Sequence, residues 1–341
     1  MPDLDFYSYL YSAEVVRLAV IMGLIVGVLI YERFHLTSGG AIVPGFLALS
    51  MTQPEVILAT VAAATGAWLV VHRLLPRVTI LYGRRLFEVE LLSGVAFVIV
   101  AAALGAVAGK GLPFLVGFST VGMLIPGIIA HDMGRQGPAK TLGALAVATG
   151  IVALGVLVID SVLRLLRLPS QPLALESADR GGYPEQLILP AVIVSILIGM
   201  LLFSTLGLRS GGFVTAAYLA YVAPVWQDLV FTAACAVATY LLVIAITQPL
   251  LLFGRRKLAS MIMVGAVVTW SAEYAVTALT QGTYVPWSGL TVMTLMVPAL
   301  LANDAQRQGW PRTIIAAVLG TVGVFAAMRL LAAGAGWLGL L

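Results

Sequence analysis

Pro126-Gly-Ile-Ile-Ala-His-Asp-Met-Gly-Arg-Gln-Gly137 and Pro298-Ala-Leu-Leu-Ala-Asn-Asp-Ala-Gln-Arg-Gln-Gly309 share Pro, Ala, Asp, Arg, Gln and Gly in register, 172 positions apart. One such match could be chance. Two further pairs are collinear with it. Ser38-Gly-Gly40 pairs with Ser210-Gly-Gly212, again at 172, and Ile80-Leu-Tyr-Gly-Arg-Arg85 pairs with Leu251-Leu-Phe-Gly-Arg-Arg256 at 171, counted between the glycines as 254 minus 83. Three matches in one order make an internal duplication. The chain therefore divides into a first repeat at 1–167, a polar linker at 168–185 and a second repeat at 186–341. The linker holds three prolines, a Gly-Gly and four charges.

Around these motifs the sequence is apolar. Mean hydropathy is +1.04, 61% of residues are hydrophobic and 10% are charged, against roughly 25% charged in a soluble domain. The apolar residues come in blocks of about 17 to 25, the length that spans ~30 Å of hydrocarbon at 1.5 Å per residue. The solvent is lipid. Long helices are predicted at 14–32, 54–75, 86–109 and 138–166, with shorter proline-bearing stretches at 39–52 and 113–131. The second repeat gives 186–208, 228–253, 257–281 and 310–338, with short stretches at 211–223 and 287–302. The expected fold is an all-α polytopic transmembrane protein of two tandem repeats, with about 10–12 crossings, in a bacterial cytoplasmic membrane. Met1 to Ser12 is acidic and aromatic where a cleavable signal would be basic, so Val15 to Tyr31 reads as a retained span.

Charge orients the repeats. If the short stretch near residue 45 crosses the membrane, each repeat has six crossings. Arg33, Arg73, Arg77, Arg84, Arg85, Arg135, Lys140, Arg209, Arg255, Arg256, Lys257, Arg307 and Arg312 then share one side, 13 of the 19 basic residues. If it only re-enters, the second repeat inverts and its basic residues face outward, against the positive-inside rule. Parallel repeats are favoured, although 13 or so residues span only if the helix is broken or the bilayer thins.

Composition excludes several classes. The net charge of +4 is distributed at block ends and not in runs, which argues topology and no nucleic-acid partner. The single cysteine, Cys235, can build neither an intramolecular disulfide nor a thiolate metal site. His35, His72 and His131 are scattered without a His-x-x-x-His pair, so no metal and no catalytic residue is assigned. Gly105-Ala-Val-Ala-Gly-Lys-Gly111 is one residue short of a phosphate loop, lacks its Ser/Thr and ends an apolar helix, so no nucleotide or other cofactor is expected.

The candidate site residues fall into three groups. Arg84, Arg85, Arg255 and Arg256 follow helix ends, where they either anchor turns by the positive-inside effect or present guanidiniums to carboxylates or phosphates. The Pro126 and Pro298 elements place Asp132 and Asp304 three residues before Arg135 and Arg307, adjacent on a helical turn. A local ion pair would suffice for that spacing, but it does not call for Gln136, Gln308, Gly137 and Gly309 as well. Arg135, Gln136, Arg307 and Gln308 are therefore also candidate substrate contacts. Pro44, Pro126, Pro298, Gly39, Gly40, Gly211 and Gly212 are candidate helix breaks, where membrane proteins aim backbone dipoles at substrates. Glu32, Asp132, Asp304 and Glu273 are candidate polar or proton-relay groups. Asp160 has Arg164 one turn on and reads as a local ion pair, whereas Glu273 has no such neighbour.

Ser38-Gly-Gly-Ala-Ile-Val-Pro-Gly-Phe-Leu-Ala-Leu49 preceded by Glu32-Arg33, then Thr79-Ile-Leu-Tyr-Gly-Arg-Arg85, then Gly122-Met-Leu-Ile-Pro-Gly-Ile-Ile-Ala130 running through His131-Asp132 to Arg135-Gln-Gly137, resembles the poly-γ-glutamate biosynthesis membrane subunit, the PgsC/CapC family. Residues 1–166 look like one member and 186–338 like a second. In the second, Ile-Val-Pro-Gly becomes Val214-Thr-Ala-Ala217. The resemblance implies a role in making and exporting an anionic γ-linked glutamate polymer. Its partners would be a separate ATP-dependent amide ligase and a small accessory membrane subunit, with no catalysis by this chain alone. Association of several copies is compatible with it. Two other readings stay open: a free-standing secondary transporter of a small anion, and a structural anchor for the ligase.

Overall fold

The computed structural model describes residues 13–40, 42–107, 122–165, 182–184, 187–250, 254–287 and 290–337. The chain forms two compact units, 1–172 and 173–341, and among the described residues the regular structure is all helical. Of the linker only 182–184 are described, and they pack on the second unit: Gly182 N–H donates to Tyr221 O and Tyr183 Oη to Ala217 O.

The first unit contains α1 (Ala13–Phe34), α2 (Val43–Leu49), α3 (Pro54–Leu69), α4 (Gly83–Val107), α5 (Ile125–Gln136) and α6 (Pro138–Leu165). The second contains α7 (Ile188–Leu206), α8 (Thr215–Val222), α9 (Trp226–Leu250), α10 (Gly254–Leu279), α11 (Thr291–Gln308) and α12 (Trp310–Trp337). Among the described residues, seven stretches are long and apolar enough to cross a membrane: 14–34, 54–77, 138–162, 188–206, 226–246, 256–279 and 310–334. The chain is a multi-pass membrane protein.

The seven residues of α2 cover only about 10 Å at 1.5 Å per residue. Even so, the segment traverses the unit, because its extended part does the rest. A Cβ on Gly27 would lie 3.2 Å from Ser38 Oγ, and one on Gly45 would lie 2.6 Å from Ala19 O. Residues 38–49 thus run back along α1 to the end where α3 begins. Likewise α5 descends along α4, with Gly127 against Gly94 and Leu91, and finishes where Gly134 meets His72. Each unit therefore has six traverses, and the Gly-Arg-Arg turn falls at the same end as the α1 and α5 C-termini. Within a unit the halves α1–α3 and α4–α6 run in opposite senses and exchange third helices, since α2 packs between α1 and α6 while α5 packs between α3 and α4.

Both short helices are clasped through glycine. A Cβ on Gly23 would stand 2.5 Å from Gly45 N, and one on Gly94 would stand 2.4 Å from Gly127 N. Backbone-to-backbone approach of this kind is how helices associate where lipid offers no hydrophobic drive. The second unit has Ala217 and Ala299 at the sites of Gly45 and Gly127, and there a Cβ on Gly265 would stand 2.6 Å from Ala299 Cβ.

The prolines do not all break helices. Pro44 and Pro126 stand in the first turns of α2 and α5, where the missing N–H is one that no helix uses. Pro298 lies inside α11, which runs on through it. Packing against α9 and α10 on either side offsets the ~3 kcal/mol that an interior proline costs. Gly39, Gly40, Gly211 and Gly212 all have positive φ, 79°, 96°, 80° and 100°; they turn the chain back into the unit.

Six traverses per unit have a testable consequence. In a Cys235→Ser background, single cysteines at His35, Tyr82 and Arg135, all exposed at one end of the first unit, should all react with a membrane-impermeant maleimide from the same side in oriented vesicles. Reaction from opposite sides would contradict the traverse count.

Candidate functional site

The duplicated Asp-x-x-x-Gln element is a backbone clamp in each unit. Asp132 Oδ2 accepts from Gly39 N–H at 3.1 Å, Gln136 Oε1 accepts from Thr37 N–H at 2.9 Å, and Gln136 Nε2 donates to Thr37 O at 2.6 Å and Thr141 Oγ1 at 3.0 Å. In the second unit Asp304 Oδ2 accepts from Gly211 N–H at 3.0 Å. Gln308 Oε1 accepts from Arg209 N–H at 2.9 Å, and Gln308 Nε2 donates to Arg209 O at 2.6 Å and Thr313 Oγ1 at 3.1 Å. The element fastens the end of α5 or α11 to the turn that launches the short helix. Both amide protons of Gln136 and of Gln308 are used, so neither glutamine has a donor left for an anionic substrate. Asp132, Asp304, Gln136 and Gln308 thus each hold backbone groups of the scaffold.

The four arginines of the turns differ. Arg84 is half-buried and donates from Nε to Glu88 Oε1 at 2.7 Å, so its charge is partnered inside the unit. Arg85 and Arg256 are exposed, as are Arg135 and Arg307. Arg255 opens α10, and its side chain lies outside the described residues. So do the side chain of Arg164, and with it the expected Asp160 pair, and most of Gly105–Gly111. Glu32 is half-buried in the last turn of α1. Glu273 is buried in α10, within electrostatic reach of Cys235.

The densest buried charge lies where no candidate was assigned. Glu90, fully buried on α4, accepts two imidazoles: His72 Nε2 lies 2.6 Å from Oε1, and His131 Nδ1 lies 2.6 Å from Oε2. Three elements supply the three groups. His72 sits in a π turn, Val70–Leu74, that ends the helix begun by α3; Glu90 is on α4 and His131 on α5. A Cβ on Gly134 would fall 2.1 Å from His72 Nε2, so only glycine leaves room for that ring. Phe87 covers His131 edge-on, with centroids 4.7 Å apart. Glu88, two residues before Glu90 and equally buried, holds Arg84 with Oε1, while its Oε2 has no hydrogen-bond partner among the described residues.

The second unit has none of this. At 171 positions on, Glu88 and Glu90 become Ala259 and Met261; at 172, His131 and Gly134 become Asn303 and Gln306; His72 lies where the offset changes and falls on Val243 or Ile244. Val243, Met261 and Ala302 form a fully buried apolar cluster with Tyr240 and Val264 against it. The repeat offset falls from 172 at Ser38 to 171 at Gly83 and returns to 172 at Pro126. One extra residue therefore lies in the first unit between 38 and 83, which is where the π turn carries His72. The opposite end of the second unit is closed by Asp228, whose Oδ1 accepts from Tyr284 Oη at 2.5 Å and from Trp287 N–H at 3.1 Å. Burial and then that carboxylate push the Tyr284 phenol up, so it stays the donor.

Taken together, these features define a polytopic membrane protein with a duplicated six-traverse unit, of which one copy carries a buried His–Glu–His centre. The chain belongs to the family described as capsule biosynthesis CapC, which matches residues 22–142 and again 194–314. It is 30% identical over 134 residues to the PGA biosynthesis protein CapC of Bacillus subtilis (strain 168), covering 39% of this chain and 87% of that protein. It shows the same identity and coverage with the capsule biosynthesis protein CapC of Bacillus anthracis. No solved structure matches the chain. Since each relative is covered over most of its length by well under half of this chain, two family units stand in tandem here.

Proposed function

We propose that this chain is the membrane subunit of a complex that makes and exports poly-γ-glutamate across the bacterial cytoplasmic membrane, handling polymer made by a separate ATP-dependent amide ligase. The observation that carries this reading is the family match in both units, with relatives named for PGA and capsule biosynthesis. The charge distribution supports it. In the first unit Arg33, Arg73, Arg77, Arg85, Arg135 and Lys140 fall at one end of the helices, where a chain of carboxylates would meet guanidiniums suited to bind them. Among the described turn arginines Arg85 and Arg256 are exposed, so they receive the polymer in this account.

The test measures γ-linked polyglutamate in medium and lysate from cells expressing this chain with its ligase. Wild type is compared with Arg85→Gln/Arg256→Gln at matched membrane abundance. The expected result is polymer retained in the lysate and a several-fold fall in the medium. Unchanged export would leave these arginines as topology anchors alone.

A further inference from the structure

The second unit folds without a counterpart of the His72–Glu90–His131 centre: Met261 stands for Glu90 and packs with Val243 and Ala302 in a buried apolar cluster, and Asn303 stands for His131. Replacing a buried ionic group by packed apolar side chains is commonly neutral or stabilising. The first unit nevertheless keeps two buried carboxylates, two histidines, a glycine that seats one ring and a one-residue π insertion. Such insertions are frequent at functional sites.

The hydrogen bonds dictate what the centre can bind. An ionised carboxylate only accepts, so with neutral rings His72 must carry its proton on Nε2 and His131 on Nδ1. The outer nitrogens, Nδ1 of His72 and Nε2 of His131, then bear lone pairs, and the two side chains are 23% and 25% exposed. Charge points the same way. Glu88 and Glu90 stand against the single guanidinium of Arg84, which leaves one negative charge in excess within buried surroundings, and Glu88 Oε2 has no donor among the described residues. The other charged groups on these elements are Glu55, exposed at the far end of α3, Arg73, Arg77, Arg85 and Arg135, all exposed, and Asp132, which is buried and bonded to Gly39 N–H. Outward lone pairs and excess negative charge repel a carboxylate ligand and attract a proton.

We propose that His72, Glu90 and His131 form one proton-binding site, built in the first unit alone, that takes up a single proton for the pair of rings. The proton adds to an outer nitrogen and converts one imidazole to imidazolium. No bond breaks, and the shared carboxylate couples the two rings, so that binding at one opposes binding at the other. Through this site α3, α4 and α5 are joined by a charge that depends on proton supply.

The chain has three histidines, so histidine labelled with 13C and 15N gives three ring signals in detergent-solubilised full-length protein, assigned with His35→Gln, His72→Gln and His131→Gln. His35 is exposed and serves as the internal reference. The expected result is that the His72 and His131 signals move together in one step accounting for one proton. Glu90→Gln should separate them into independent responses while leaving His35 unmoved. Two independent one-proton steps in the wild type, or ring responses unaltered by Glu90→Gln, would overturn the proposal. If Glu90→Gln does not fold, the wild-type titration decides alone. The experiment uses neither polymer nor ligase, so its outcome is separate from that of the proposed function.

Discussion

Gly127→Leu is expected to abolish folded protein in the membrane. A Cβ at 127 would meet Leu91 Cα at 2.5 Å and Glu90 O at 2.7 Å. These are backbone atoms of α4, which cannot swing aside as a side chain can, so α5 must be driven off α4. The expected cost exceeds the ~1–3 kcal/mol usual for overpacking, because parting the helices also pulls His131 from Glu90 and leaves a buried carboxylate short of a donor. Gly143→Leu is the matched control, since nothing lies within 4 Å of a Cβ there. Size-exclusion yield of detergent-extracted protein should be near wild type for the control and near zero for Gly127→Leu. Equal yields would contradict the glycine clasp.

The second large effect comes from giving the first unit the residues of the second. Glu90→Met alone strips the acceptor from two imidazole N–H groups, and each buried donor left unpaired costs about 1–3 kcal/mol. The triple variant His72→Val/Glu90→Met/His131→Asn removes the cluster together and installs residues that the second unit carries, where Val243 and Met261 pack in a buried apolar cluster. Its stability is expected to match or exceed wild type, by up to ~4 kcal/mol, read as an equal or higher unfolding temperature in detergent. The single variant should unfold well below both. A triple variant as unstable as Glu90→Met would show that the first unit needs its charges in order to pack.

How much of this was legible in the sequence follows the physics of each signal. The duplication, the long helices and the short segments were readable because lipid imposes blocks of fixed length and the two copies preserve Ser-Gly-Gly, Gly-Arg-Arg and Asp-x-x-Arg-Gln-Gly. The clamp was visible as a pattern but not as a clamp. Nothing in Asp132 and Gln136 says that their partners are Gly39 and Thr37, nearly a hundred residues upstream, so a surface role was the natural reading.

The buried centre escaped for a similar reason. His72 and His131 are 59 positions apart (131 minus 72), and Glu88 and Glu90 stand at the start of a helix, where charge ordinarily means solvent. The signal that would have found it is the comparison of the copies: Glu88, Glu90 and His131 against Ala259, Met261 and Asn303, with the 172-to-171 slip marking an insertion between 38 and 83, the stretch that holds His72. The prolines misled in the opposite direction, since whether a proline opens a helix or sits within it depends on the neighbours that clasp it.

The central claim is that the two units share one scaffold while the first alone carries a working His–Glu–His centre. The most direct measurement is extracellular γ-linked polyglutamate from cells expressing the folded triple variant with its ligase, against wild type at matched membrane abundance. The account predicts a large loss of polymer from the medium despite a stable, correctly inserted protein. Undiminished polymer would contradict it and reduce the His–Glu–His centre to a dispensable feature of packing.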